Sequence, residues 1–176
     1  MSCCCAKSAT NCARDAARVK ADTLALRRGG PADFDALGAL MFDAVRLGDS
    51  PYSEAQRAAW VPEPRNGPEW TARLAGQYIV IAVDADDNRL GFMSLAEGGY
   101  IDFAYILHAA RGAGLFRRLF AAIAEEARQQ GVSRLWVHAS LMAEPAFAAC
   151  GFTVTRREQV TIGTETLDRC QMELEL

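Results

Sequence analysis

No apolar run in the chain approaches the roughly 18 residues that a membrane-spanning helix needs, which predicts a soluble protein. Residues 1–20 also lack the apolar centre of a secretory leader, so a reducing cytoplasm is the expected setting and disulfides are not expected. Charge of one sign is missing as well. Nineteen Lys and Arg against 22 Asp and Glu leave a formal net charge of −3, too little to draw the chain to nucleic acid or to an anionic membrane. Cysteine is present, with six residues, but not in a metal-binding pattern. Cys3, Cys4, Cys5 and Cys12 crowd one end, whereas zinc ligands come in pairs split by about two to four residues. Cys150 and Cys170 stand alone, and no metal is expected. What remains is a chain of 176 residues, 51% hydrophobic and 23% charged, enough to bury one core unaided. Residues 1–21 read as a weakly ordered tail, whose Ala, Ser and basic residues also fit an organelle address. Residues 22–176 read as a single domain.

Periodicity divides that domain. "TLALRRG" (23–29) alternates and stops at Gly-Gly-Pro, as a short strand does. "PADFDALGALMFDAVRLG" (31–48) carries apolar residues at helical spacing, with Pro31 in the first turn and Gly48 at the end. A short helix over 53–60 and one or two helical turns in "PEWTARLAG" (68–76) flank a proline-rich loop. From Gln77 the period drops to two, giving a hairpin around Asp86-Asp87-Asn88 and a third strand, "YIDFAYIL" (100–107). "GAGLFRRLFAAIAEEARQQG" is an amphipathic helix closed by Gly131. "SRLWVHAS" (133–140), a short helix in "AEPAFAAC" and two closing strands complete a mixed α/β (α+β) sheet. Trp60, Trp70, Tyr52 and Phe42 read as packing aromatics around the proline-rich loop. His138 reads as a packing residue against a helix, and Cys150 as a small apolar group.

The junction "ILHAARGAGLFRRLF" concentrates the chemistry. A strand meets a glycine turn and then a helix, whose first N–H groups lack partners and whose dipole favours an anion there. Gly112 and Gly114 clear the approach, and Arg111, Arg117 and Arg118 offer charged donors. A nucleotide P-loop needs Gly-Lys-Ser/Thr, but Leu115 and Phe116 follow Gly114. The dinucleotide fingerprint needs a third glycine where Arg117 stands. Both nucleotide readings fail on those residues.

The same junction resembles the acyl-CoA pyrophosphate loop of the GNAT superfamily of N-acetyltransferases, whose pattern is Arg/Gln-x-x-Gly-x-Gly/Ala. Arg111 and Gly114 fill its first two fixed positions, and Phe116 stands where the family prefers a small residue. "SLMAEPAFAACGF" is similar to the family's Asn-x-x-Ala…Tyr…Gly-Phe segment, with Ser140, Ala143, Phe147, Gly151 and Phe152 in register. The likeness spans about residues 22–176, and "YSEAQRAAW" and "YIDFAYI" are also similar to a bacterial YafP-like subgroup.

That resemblance implies a GNAT-like, mostly antiparallel central sheet of about six to seven strands with helices on both faces. It implies acetyl-CoA as co-substrate, with Ile106 and His108 beside the pantetheine. The N–H groups of Arg111, Gly112, Ala113, Gly114, Leu115 and Phe116 would hold the pyrophosphate, with Arg117 alongside. Ser140 replaces an Asn that often contacts pantetheine, and Phe147 replaces a Tyr that often meets the leaving thiolate. The implied reaction is direct acetyl transfer to a primary amine of a small molecule. Such an amine, with a pKa near ~10.4, must lose a proton to attack. Asp102 is the only acid on its strand, and alternation places it on one face with Tyr100, Ala104 and Ile106. Asp102 is therefore the expected base or acceptor-binding carboxylate, and Tyr100 the substitute donor to the thiolate. An aspartate's ordinary pKa of ~3.9 makes a poor base unless burial raises it. Phe116 and Phe147 keep a second reading open, a non-catalytic module that binds or senses acyl-CoA. A homodimer is compatible with the resemblance, dimers being common in that superfamily.

Overall fold

Seven strands form one sheet in the order β1-β2-β3-β4-β5-β7-β6, seen in a computed structural model that describes residues 24–176. The strands are β1 Ala25–Arg28, β2 Tyr78–Val83, β3 Arg89–Ala96, β4 Tyr100–Ile106, β5 Arg134–Ser140, β6 Thr153–Ile162 and β7 Glu165–Glu175. Every neighbouring pair is antiparallel except β4 and β5. The helices are α1 Phe34–Arg46, α2 Glu54–Trp60, α3 Gly67–Ala75, α4 Leu115–Gln129 and α5 Glu144–Ala148. The expected tail of residues 1–21, with Cys3, Cys4, Cys5 and Cys12, lies outside the described residues.

Two cores sandwich the sheet. Leu115, Leu119, Ile123 and Ala127 on α4 meet Met93, Leu95, Ile101, Leu135 and Val137 on one face, with Phe147 and Phe152 beside them. Leu37, Met41 and Val45 of α1 and Trp70 and Leu74 of α3 meet Ile79, Ile81, Phe92 and Phe103 on the other. The Trp70 indole is satisfied by donating to Phe34 O at 2.7 Å. Its burial therefore strands no polar group.

One irregularity shifts the site. Ser94 opposes Phe103 and Leu95 opposes Ile101, so Asp102 is an extra residue in a β-bulge on β4. The Phe103 N–H donates instead to the buried Ser94 Oγ at 3.2 Å. The bulge corrects the alternation expected from sequence. Ala104 and Ile106 pack on the α4 face, whereas Asp102 turns to the opposite face and meets Arg73 of α3.

Candidate active site

β4 and β5 share a single bridging pair, Tyr100 with Trp136, and part beyond it. A cavity of about 420 Å³ fills the parting. Its walls come from Ala104, Tyr105 and Ile106 on β4, Ser140 on β5, and Leu115 to Arg117 on α4. Ser50, Tyr52, Arg57 and Trp60 roof it from the α1–α2 loop and α2, and Met142 and Cys150 close the far side.

At its mouth lies the glycine turn. Gly112 and Gly114 hold φ of 79° and 73°, a region that L side chains occupy at a cost of roughly 1–2 kcal/mol. Gly114 caps α4, and the first bond inside the helix runs from Arg118 N to Gly114 O at 3.3 Å. The N–H groups of Leu115, Phe116 and Arg117 precede it and therefore have no helical acceptor. All three residues border the cavity. This arrangement suits a phosphate-bearing ligand.

Other expected loop donors are already committed. The Arg111 N–H donates to His108 O at 3.2 Å. The Arg111 guanidinium bonds Ala44 O at 2.9 Å and Ile106 O at 3.3 Å, and burial lowers its pKa. Arg111 is thus a brace between the end of α1 and the end of β4. Arg118 bonds Leu24 O at 2.8 Å, and Arg57 bonds Arg46 O, Gly48 O and Glu54. Arg117 is exposed at the mouth, and among the described residues no hydrogen bond engages it.

Of the residues that the sequence singled out, Ile106, Arg111, Gly112, Gly114, Leu115, Phe116, Arg117 and Ser140 border the cavity. His108, Ala113, Phe147, Asp102 and Tyr100 do not. The exposed His108 packs over Gly48, where an added Cβ would come within 2.6 Å of its Nδ1. Phe147 is 1% exposed and takes the Phe116 ring edge-on at 4.9 Å. It continues to Phe152 at 5.0 Å, which meets Phe120 at 5.5 Å. Phe116 therefore anchors its ring in the core and leaves its N–H at the mouth. Asp102 is gripped by Arg73 Nε and Nη2 at 3.0 and 2.7 Å and by Gln77 Nε2 at 2.7 Å. Tyr100 stacks on Trp136 at 4.3 Å, with burial raising its pKa.

Three tyrosine and histidine groups emerge that periodicity did not single out as reactive. The Tyr52 hydroxyl donates to Asp168 O and accepts from Leu141 N at 2.9 Å, pinning the roof to β7 and the end of β5. Tyr105 faces the cavity because of the bulge, and burial raises its pKa well above the ordinary range. His138 is not packed against a helix. It faces Tyr100 and Trp136 at 6.1 and 5.6 Å, and its Nδ1 lies 2.9 Å from Glu158 Oε1. Cys150 keeps its proton, since burial raises its pKa. Among the described residues no group of three His, Cys, Asp or Glu is arranged to hold a metal. No helix there is long and apolar enough to cross a membrane.

A family model described as an acetyltransferase (GNAT) domain matches residues 49–176. A GCN5-related N-acetyltransferase from Rhodopseudomonas palustris is 31% identical, with 88% of this chain and 96% of that one covered at a TM-score of 0.79. A phosphinothricin acetyltransferase (Pat) from Sinorhizobium meliloti, solved in complex with acetyl-CoA, is 19% identical. That likeness covers 88% of this chain and 89% of that one at a TM-score of 0.67. yncA from Salmonella typhimurium, solved with its cofactor acetyl-CoA, is 22% identical over 86% of this chain and 93% of that one, with a TM-score of 0.59. These last two show likeness of fold alone. No curated protein sequence matches.

Proposed function

The chain belongs to the GNAT acetyltransferases, and on that premise we propose that it transfers acetyl directly from acetyl-CoA to the primary amine of a small molecule. One observation carries the reading: three N–H groups at the start of α4 that have no helical acceptor open onto a cavity set where two parallel strands part. The donors of Leu115, Phe116 and Arg117 would take the pyrophosphate, with the Arg117 guanidinium adding a charge-assisted contact. The pantetheine would run inward past Ile106 and Ala104, bringing the thioester into the wedge below the bridge between Tyr100 and Trp136. There the amine nitrogen attacks the thioester carbonyl, the C–S bond breaks, and CoA leaves as the thiol after gaining a proton. N–H groups on β4 would steady the developing oxyanion. Asp102, held by Arg73 and Gln77, acts in this scheme as a positioning carboxylate that fixes the bulge. Tyr52, Trp60 and Tyr105 form the aromatic walls that the acceptor would meet.

Two measurements test the reading together: calorimetry with acetyl-CoA, and thiol release with alkylamines, arylethylamines, polyamines and α-amino acids. Binding with release from one of these classes is the expected result. No Asp or Glu lines the cavity among the described residues, and Phe147 carries no hydroxyl. Those two facts favour the second reading, an acyl-CoA sensor, which predicts binding with no release from any amine. Absence of acetyl-CoA binding overturns both.

A further inference from the structure

Among the described residues no carboxylate borders the cavity, yet an alkylammonium must shed a proton before it can attack. Between the cavity wall at Ser140 and the bridge at Trp136 stands a group with the right chemistry, one that does not itself border the cavity. We propose that His138, oriented by Glu158, is the base that takes the proton from the attacking amine. This rests on the acetyl-transfer reading above.

The placement follows from the sheet. His138 is two residues beyond Trp136, the last residue of β5 bridged to β4, and two residues before Ser140, which borders the cavity. Strand alternation puts Trp136, His138 and Ser140 on one face, opposite the buried Leu135, Val137 and Ala139. A linear acyl donor entering at α4 and running between the strands ends near this point. The acceptor would come from the face that carries the Tyr100 and Trp136 rings. His138 is thus a strand residue at the apex of the wedge, on rigid backbone paired to Gln171 of β7.

The surroundings fix its protonation. Glu158 on β6 faces Nδ1 at 2.9 Å, and the same carboxylate also accepts from Arg169 Nε of β7 at 2.7 Å and from Arg156 of β6. Burial would raise the Glu158 pKa, but those hydrogen bonds outweigh it and hold the group ionised. Nδ1 makes no aligned hydrogen bond among the described residues, but a proton on it faces the carboxylate charge at 2.9 Å and leaves the lone pair on Nε2. Burial and then Arg169 lower the His138 pKa, opposed by Glu158, so the ring is neutral near pH 7. The groups facing it are therefore Tyr100 from β4, Gln171 and Arg169 from β7, and Glu158 and Arg156 from β6. The ammonium first gives one proton to Nε2, and the imidazolium, met by the Glu158 charge, releases it to solvent. The neutral amine then attacks the thioester carbonyl, the C–S bond breaks, and the second nitrogen proton passes through Nε2 and solvent to the departing CoA thiolate. No oxidant, metal or further reactant is needed.

The chain has two histidines, so nuclear magnetic resonance separates His138 from His108 with one variant. A neutral, Nδ1-protonated His138 at pH 7 is expected; a cationic ring at that pH overturns the proposal. With an amine that the wild type acetylates, His138→Gln should lower kcat by about 10²-fold. It should also remove the acidic limb of the kcat profile, leaving the acetyl-CoA affinity unchanged by calorimetry. Glu158→Gln should lower kcat by about tenfold and shift that limb, since it acts through His138. Full kcat and an unchanged pH profile in His138→Gln, in a wild type that releases thiol, overturns the base alone. A wild type that binds acetyl-CoA but acetylates no amine overturns the transfer reading, and this proposal with it.

Discussion

The Ser94 hydroxyl sits fully buried in β3 and accepts the one N–H that the bulge at Asp102 would otherwise leave unpaired. Ser94→Ala keeps the volume nearly constant but orphans the Phe103 N–H, at a cost of about 1–3 kcal/mol. Chemical denaturation should read this as a lower midpoint at unchanged slope. Phe116 separates backbone from side chain in the same way. Its ring belongs to the chain of edge-on contacts through Phe147 to Phe152, while its N–H belongs to the mouth of the cavity. Phe116→Ala should therefore destabilise by about 2–3 kcal/mol, below the cost for a fully buried Phe. It should change the calorimetric acetyl-CoA affinity by less than about threefold, because a backbone donor is indifferent to side-chain identity.

Strands and helices divide the positive charge of the glycine turn between support and binding. Arg111 ties the last turn of α1 to the end of β4, and so shapes the cavity without offering its guanidinium to a ligand. Arg117, exposed in the first turn of α4, is the cation at the mouth that no hydrogen bond engages among the described residues. Arg117→Ala should weaken acetyl-CoA binding by roughly three- to tenfold at low salt and flatten its ionic-strength dependence. Arg111→Ala should lower the melting temperature and the affinity together, while the salt dependence stays as in the wild type. Calorimetry at two salt concentrations distinguishes the two arginines. The elements themselves were legible because a period of two and a period near 3.6 leave different apolar traces, clear in "QYIVIAV" and "LFRRLFAAIAEEA". The turn was legible because backbone with positive φ at Gly112 and Gly114 restricts residue type. The bulge was not. One additional residue changes no composition, yet it reverses the facing of Asp102 relative to Ala104 and Ile106.

Across the whole molecule, Asp33 joins three segments. It accepts from Arg27 Nη1 and Nη2 of β1 at 2.9 and 2.8 Å, from Arg89 Nε and Nη2 of β3 at 3.0 and 2.7 Å, and from Gly30 N at 3.1 Å. The Arg27 hydrogen bonds, against the cost of burial, hold its carboxyl well below the usual range. A depressed folded pKa stabilises fully above the unfolded value of ~3.9 and loses that contribution progressively as pH falls from there through the folded value. Asp33→Asn should thus lower the melting temperature at pH 7 by about 4–8 °C, for a loss near 2 kcal/mol. The gap to wild type should narrow as melting is followed from pH 4 down toward pH 2. Like Arg73 with Asp102, or His138 with Glu158, this cluster joins residues far apart in the chain. Such meetings depend on sheet order and register, which no local pattern records, so the glycine turn could be read from sequence while the partners of the titrating groups could not. The lone bridge between β4 and β5 has a bearing on motion as well. Beyond it the sheet has two internal edges, whose inward amides lack the rungs that protect β2 and β3. In deuterated solvent these amides around residues 102–106 should exchange early, as though the domain were two sheets hinged at Tyr100 and Trp136. Saturating acetyl-CoA should slow them, leaving a protection footprint that traces the ligand's path through the fold.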